Sequence, residues 1–538
     1  MDLTFRGTDP ARPEPSDERL VAPSPRPVAP APRREADRRV RTAVLAALAL
    51  GVVARFASAS DLWLDEVLTV NIASVPLADL PDALRRDGAP PLYYALLHFW
   101  MRIFGDSTLA VRALPGLISV TSLPLMWLAA RRLGGERLAW AATLLLAAGP
   151  FAARYATENR MYSLVTVLVL AGFLALHSLL NGGGRRPALG LAAATGALLL
   201  THYWSFYLLA AVVTFLILTM RRGAEPARSG ALRGLVAIAG GGLLFLPWAP
   251  VFLYQLRNTG TPWGRPGELR SIFDTVFHFA GGYWNAGILL GLAFFALLAL
   301  ALTARPVDGR HLLVDLRPHP PGSILASVAF GALVLAIIAT KLSGSAFAVR
   351  YAAVLYPLFI LTVALGVDVF TDRRVHATIL AVLVTVGFWA DVPNVVGNRT
   401  NAGRVASELN ELGRPGDLVV YCPDQLGPSV SRLVENPELV QFGFPRQNPP
   451  HLVDWVDYER VNKSASTSAF ARMLDERAGP ANNVWIVWAP GYKTYGTKCQ
   501  NLIERLGEAR PDYDRVVTIS TRYFERPGLV QFPPAAAG

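Results

Sequence analysis

Charged residues are scarce in this chain, 17% of its 538 residues, where a soluble protein carries about 25%. Set against 52% hydrophobic residues, that shortage argues against a string of soluble domains. The apolar residues gather into repeated runs of about 18 or more, the length that spans a bilayer. Cysteine is nearly absent: the two are Cys422 and Cys499, and their spacing fits no zinc or redox motif. Two readings stand for them, a disulfide or two buried thiols. No internal repeat and no Gly-rich nucleotide-binding loop is evident. Basic residues outnumber acidic ones, 51 to 40, but no basic stripe is interleaved with aromatics, so a nucleic-acid partner is not expected. Arg-rich loops between spans account for the excess, because they set orientation in a membrane.

Residues 1–41 are rich in Pro, Ala, Arg and Asp without an apolar period, and are expected to form a disordered cytoplasmic tail. Arg33, Arg34, Arg38, Arg39 and Arg41 flank the first apolar run and argue for a cytoplasmic N-terminus. The stretch ahead of that run is too long and too acidic for a cleavable signal. About eleven spans follow between residues 42 and 392, with paired arginines on the inner side five times. Residues 61–106 form a large first outer loop, in which Pro90–Trp100 reads as an interfacial helix with Tyr93, Tyr94 and Trp100 at headgroup level. From about Pro393 the composition changes. Ala402–Leu412 reads as a helix, Pro415-Gly416-Asp417 as a turn, Leu418–Tyr421, Val484–Trp488 and Val516–Ile519 as strands, and Cys499–Leu506 as a helix. The fold class expected is a polytopic all-α membrane protein with a small C-terminal α/β domain, residues 393–538. The span count places that domain outside, where disulfides persist.

Polar residues at the outer ends of the spans carry the functional signal. They are Asp65, Glu66, Glu158, Arg160, His202, Lys341 and Arg350. Ionisable groups near a bilayer are costly unless paired or used. A carboxylate there can take a proton from an acceptor hydroxyl, and Arg or Lys can hold a phosphate leaving group. Beside long apolar helices, such a set fits sugar transfer from a polyprenyl phosphate; the carboxylates alone also fit hydrolysis or metal binding. Each residue has a plainer reading. Asp65 and Glu66 would cap the helix that follows, Glu158 and Arg160 would be a structural ion pair, His202 and Tyr203 would be interfacial anchors, and Arg350 would snorkel. Arg55 reads as a structural partner for an acidic group, His98 as packing, and Asp391 and the charges of the C-terminal domain as ordinary surface.

Three blocks carry a family resemblance: Trp63-Leu-Asp-Glu66, Ala89-Pro-Pro-Leu-Tyr-Tyr-Ala-Leu-Leu-His-Phe-Trp100 and Phe104-Gly-Asp-Ser-Thr-Leu-Ala-Val-Arg-Ala-Leu-Pro115. Glu158-Asn-Arg-Met-Tyr162, Thr201-His-Tyr203 and Arg350-Tyr351 follow in the same order. Together, over about residues 45–390, they resemble the glycosyltransferase-C superfamily. Within it they are similar to the bacterial proteins related to protein O-mannosyltransferases and aminoarabinose transferases. The resemblance implies a lipid-phosphate sugar donor, inversion at the sugar carbon, and an acidic pair that supplies the base, Asp65 first and Glu66 second. It implies substrate or donor-phosphate contacts from Glu158, Arg160, Tyr162, His202, Tyr203, Lys341, Arg350 and Tyr351. The acceptor would be an envelope glycan, lipid or protein at the outer face of a bacterial plasma membrane. Two positions depart from the pattern. Ala89 stands where relatives often carry His or Lys, and Thr157-Glu-Asn-Arg160 replaces Gln-Glu-Ala-Arg; a divalent metal is therefore left open, with no cofactor otherwise expected. A transporter or lipid-linked-sugar flippase would instead show ionisable or helix-breaking residues at mid-span, and a bare membrane anchor would leave the first two blocks without a task.

Overall fold

The computed structural model describes residues 31–261, 264–308 and 311–534. It falls into two units divided after Leu45. Helix α1 is Ala31–Ala54, so residues 31–41, expected as irregular tail, are helical; residues 1–30 lie outside the described residues. The first outer loop carries three short helices, α2 (Leu64–Ser74), α3 (Leu80–Asp87) and α4 (Leu92–Phe104). Helix α5 (Thr108–Ala147) is two helices joined at a bend, where Gly134 and Gly135 leave helical geometry and Gly135 takes φ +85°. Only glycine adopts that conformation cheaply, so the bend separates the two apolar runs read at 109–130 and 138–151.

The remaining helices of the apolar part are α6 (Pro150–Ala156), α7 (Tyr162–Leu180), α8 (Arg185–Leu199), α9 (Ser205–Arg222), α10 (Ala227–Leu243), α11 (Ala249–Asn258), α12 (Arg270–Phe279), α13 (Asn285–Thr303), α14 (Gly322–Ser343), α15 (Tyr356–Asp368) and α16 (Arg373–Val396). Among the described residues, seven helical segments are long and apolar enough to cross a membrane: α5, α7, α9, the Ala227–Asn258 stretch, α13, α14 and α16. Helix α15 is apolar but short. A small antiparallel hairpin, β1 (Ala304–Pro306) with β2 (Leu312–Val314), follows α13.

The first outer loop corrects one expectation. Tyr93 and Tyr94 are each 1% exposed and point into the protein, where Tyr93 donates to Asn159 Oδ1 and Tyr94 to Asp87 Oδ2, both at 2.9 Å. Helix α4 instead turns Leu96, Phe99 and Ile103 outward, a helical stripe suited to a bilayer interface. The other anchoring side chain, Trp100, is half-buried and donates to the Ala110 carbonyl at 2.7 Å.

After α16, which runs three residues past Pro393, α17 (Ala402–Leu412) leads into a five-stranded sheet. Its strands are β3 (Leu418–Cys422), β4 (Val440–Gly443), β5 (Val484–Trp488), β6 (Asp514–Val517) and β7 (Gly528–Phe532), in the order β4-β3-β5-β7-β6. Strands β4, β3 and β5 are parallel, and β7 runs antiparallel to both β5 and β6. Side chains alternate across a strand. Leu418, Val420 and Cys422 pack into one apolar core with helices α20 (Thr467–Ala478) and α21 (Lys498–Ala509), while Val419 and Tyr421 pack into another with α17. Covered on both faces, these strands read as unbroken apolar runs. The thiols of Cys422 and Cys499 are joined in a disulfide that ties β3 to α21.

The charges of this domain are not all surface, as expected from sequence. Asp417 is 1% exposed and accepts from Trp485 Nε1 at 3.0 Å and from Asn483 N at 2.8 Å. Asp391, on α16, is also buried and accepts from Asn394 Nδ2 at 2.8 Å. Arg55 is fully buried; its hydrogen bonds go to the carbonyls of Gly51, Leu146 and Ala147 and to Ser119 Oγ rather than to a carboxylate. His98 packs as expected, with Nδ1 at 2.8 Å from the Ala73 carbonyl.

Candidate active site

A cavity of 730 Å³ lies between the first outer loop, the ends of several apolar helices and the C-terminal domain. Asp65 opens onto it from the first turn of α2, and Asp87 from the last turn of α3. Arg160 comes from the turn before α7, His202 and Tyr203 from the turn between α8 and α9, and Arg350 and Tyr351 from a 3-10 turn ahead of α15. Residues from five separate stretches of the sequence thus share one wall.

The geometry around Asp65 is open. Its Oδ2 lies 3.3 Å from Arg350 Nη2 and makes no hydrogen bond. The Arg350 guanidinium also stands over the Trp63 and Tyr351 rings, at 6.0 and 5.5 Å, a cation–π setting that holds a cation without consuming its donors. Arg160 donates to Thr69 Oγ1 at 2.8 Å and to the Tyr94 hydroxyl at 3.3 Å. The same hydroxyl reaches Asp87. Burial pushes the Asp87 carboxyl up from its ordinary range, against the opposing pull of Arg160 and of Tyr94. Burial, with Arg160 and Arg350 nearby, lowers His202 to about 3, so the ring is neutral. Its Nδ1 accepts from the Trp204 backbone N–H at 3.2 Å, which leaves the proton on Nε2.

Glu66 faces the other way. Adjacent residues on a helix are turned by about 100°, and Glu66 is fully buried behind the cavity wall. Its Oε1 accepts from Arg112 Nε at 2.8 Å and from Asn159 N at 3.0 Å, and its Oε2 from Arg112 Nη2 at 2.7 Å. Arg399 Nη1, from the C-terminal domain, is 3.6 Å away. Burial alone would raise Glu66, but the Arg112 charge and hydrogen bonds, with Arg399, hold its carboxyl below the ordinary range. Glu66 therefore holds two arginines and does not line the cavity.

Other expected residues divide. Glu158 is buried and pairs with Arg154 Nη2 at 2.8 Å, and it does not line the cavity. Tyr162 lies behind His202, ring centroids 5.9 Å apart. Lys341 is exposed at the last turn of α14, off the cavity wall, although the preceding Thr340 lines it. Tyr203 lines the cavity, but its hydroxyl is committed to Gln255 and to Trp248 Nε1. Ala89 lines the wall and adds no charge. Among the described residues, no cluster of three or more His, Cys, Asp or Glu side chains could hold a metal ion, so no step is routed through one.

Several residues of the site had no assigned role in the sequence. Asp87 had a signal, an acid just ahead of the Pro90-Pro91 block, and Arg112 lay inside a quoted block. Arg399 and Glu525 had none, because their partners are hundreds of residues away, and Arg526 had none because only the folded chain brings it to the cavity. Glu525 Oε1 accepts from the Leu64 backbone N–H at 3.2 Å, at the start of the helix that carries Asp65.

Residues 88–249 match the family described as dolichyl-phosphate-mannose-protein mannosyltransferase. No curated protein sequence matches the chain. Among solved structures, the fold is similar to that of ArnT from Cupriavidus metallidurans in the apo state. The TM-score is 0.57 at 15% identity, over 94% of this chain and 99% of that one. This chain shares that fold. The ArnT structure bound to undecaprenyl phosphate gives a TM-score of 0.55 at 15% identity, over 93% and 99% of the two chains. Arabinofuranosyltransferase AftD from Mycobacteria gives 0.51 at 15% identity, over 92% of this chain but 40% of that one. Within this fold, the cavity wall joins the first outer loop to the C-terminal domain.

Proposed function

We propose that the protein is a membrane glycosyltransferase that moves a sugar from a polyprenyl-phosphate donor to a hydroxyl of an envelope glycan, lipid or protein, with inversion at the sugar carbon. One observation carries this reading: an open carboxylate, Asp65, and two arginines, Arg160 and Arg350, line one cavity at the ends of apolar helices. A lipid-linked donor needs a place for its phosphate and apolar helices beside it for its tail. The ArnT structure with undecaprenyl phosphate bound supports the donor class. The matched family description and the arabinofuranosyltransferase fold support mannose or arabinose as the sugar class.

In the proposed reaction, the acceptor hydroxyl approaches the sugar carbon from the face opposite the phosphate. The new C–O bond forms as the bond from that carbon to the phosphate oxygen breaks. Asp65 takes the hydroxyl proton as general base. Arg350 and Arg160 hold the departing lipid phosphate, where charge builds up. Neutral His202 offers its Nε2 proton to an oxygen of the donor, and Asp87 and Tyr351 bound the sugar. Glu66, Glu158 and Tyr162 support this wall from behind.

The finer topology belongs to the same proposal. Eleven spans between residues 42 and 392 put the N-terminus in the cytoplasm and residues 393–538 outside, at the outer face of a bacterial plasma membrane. The bend in α5, the short apolar α15 and the bridged Cys422 and Cys499 support that count and side.

The test is transfer by the purified protein in vesicles, with labelled polyprenyl-phosphate mannose and arabinose, comparing wild type with Asp65→Asn. Transfer by wild type and none by Asp65→Asn is expected. Undiminished transfer by Asp65→Asn would remove the base assignment. No transfer from either donor, with label accumulating across the vesicle membrane, would favour a transporter.

A further inference from the structure

The C-terminal domain closes one side of the cavity with Gln425, Trp455, Tyr492, Lys493, Glu525 and Arg526. The arginines of the opposite wall have partners: Arg350 has Asp65, and Arg160 has Thr69 and Tyr94. Arg526 differs. It is half-buried on the cavity wall, and among the described residues its guanidinium makes no hydrogen bond or ion pair. The neighbouring Glu525 is not its counter-ion, because Glu525 is turned across the chain to the Leu64 N–H. Gly491 lies beside the guanidinium, with Arg526 Nη2 3.4 Å from where a Cβ would stand, and its φ of +91° would strain any side chain at this position. Lys493 adds a second cation, with Nζ donating to the Gly264 carbonyl at 2.9 Å and protons to spare. Tyr492, next to Lys493 in sequence, lines the same wall.

A guanidinium that faces a cavity with its donors uncommitted can bind an anion there through charge-assisted hydrogen bonds. The donor phosphate is already provided for by Arg160 and Arg350, which line the cavity with Asp65. An inverting displacement puts the attacking oxygen on the other face of the sugar carbon, next to the base. We propose that Arg526, with Lys493, is an anion subsite for the acceptor, which therefore carries a phosphate or carboxylate near its reacting hydroxyl. This rests on the transfer reaction proposed above. It adds a charge requirement on the acceptor and a binding role for the C-terminal domain.

The experiment is binding without any donor, read by quenching of intrinsic tryptophan fluorescence, on the full-length protein in phosphatidylcholine nanodiscs at low salt. Two matched pairs of probes are used. Octyl glucuronide against octyl glucoside tests a glycan carboxylate, and dihexanoyl-phosphatidylglycerol against dihexanoylglycerol tests a lipid phosphate. In wild type, the anionic member of at least one pair is expected to bind roughly tenfold tighter or more, as for a charge-assisted hydrogen bond. The pair that shows it identifies the source of the anion. Arg526→Gln is expected to abolish the preference, and Arg526→Lys, which keeps the charge, to retain most of it. No preference in wild type, a preference that survives Arg526→Gln, or one lost equally in Arg526→Lys would overturn the subsite. The readout involves no sugar transfer, so a preference found without transfer would leave the subsite standing and remove only the reaction.

Discussion

Asp65 and Glu66 are neighbours on one helical turn, yet they belong to two different charge clusters. Asp65 faces a cavity and touches one arginine at 3.3 Å with an oxygen that makes no hydrogen bond. Glu66 faces protein, with both oxygens taken up by Arg112 and with Arg399 close by. The first cluster is left incomplete on its cavity side. The second is closed, and it joins three parts of the chain: the first outer loop, α5 and the start of the C-terminal domain. Arg399 extends it by donating to the Thr157 carbonyl and Thr157 Oγ1, at 2.7 and 2.6 Å. The contrast teaches that an acidic pair in a motif need not be a catalytic pair. One member faces the cavity, and the other fixes the wall from which the first one projects.

The contrast can be broken experimentally. Asp65→Asn is isosteric and is expected to lower transfer by about a hundred- to ten-thousand-fold while leaving the melting temperature close to wild type. Product formation and thermal unfolding measured on the same preparation decide it. Glu66→Ala should do the reverse. It leaves buried Arg112 without its partner, a loss of about 3–5 kcal/mol, seen as a lower melting temperature and yield, with transfer per folded molecule falling far less than for Asp65→Asn. If Glu66→Ala melts like wild type and is inactive, the two clusters have been assigned the wrong way round. Arg350→Gln removes a charge-assisted contact of about 1.5–3 kcal/mol, so kcat/KM for the donor should fall roughly ten- to hundredfold without loss of folded protein.

The smallest effect sharpens the link between the clusters and the C-terminal domain. Burial pushes Glu525 up to about 7 and Asp424 up to about 6. A carboxyl raised on folding binds more protons in the folded than in the unfolded state, so its contribution to stability is greatest below the ordinary carboxylate value and is lost as pH rises through the folded value. The melting temperature should therefore decline between about pH 5 and pH 7.5, by an amount equivalent to a few kcal/mol at most. Glu525→Gln keeps an acceptor for the Leu64 N–H and should flatten that decline, leaving the smaller part due to Asp424. A profile identical to wild type would show that Glu525 does not titrate in this range.

Much of the architecture was legible in the sequence because it depends on local composition. Apolar runs became helices, and the Arg131-Arg132 turn at Gly134-Gly135 fell between two of them. Leu418–Tyr421 and Val484–Trp488 became central strands because uninterrupted apolar residues suit a sheet covered on both faces. Strands β4 and β7 were not anticipated: Val440–Gly443 is a short edge strand, and Gly528–Phe532 holds its place by pairing with β5. The site was legible in part. Asp65, Arg160, His202, Tyr203, Arg350 and Tyr351 share the cavity, whereas Glu66, Glu158, Tyr162 and Lys341 do not line it. Asp65 and Glu66 differ by one helical step, and the chain itself carries no mark of which face its partner will cover.

By itself, then, the sequence determined that this is a polytopic membrane protein with an acidic first outer loop and a small domain of buried strands, since hydropathy and period act over short windows. Only the tertiary structure decided which carboxylate is open, that the C-terminal domain forms a wall of the cavity, and that Arg526 makes no hydrogen bond or ion pair there among the described residues. Those outcomes depend on contacts such as Leu64 to Glu525, 461 residues apart, and Glu66 to Arg112 and Arg399. Packing and desolvation select such pairs only once the whole chain has folded.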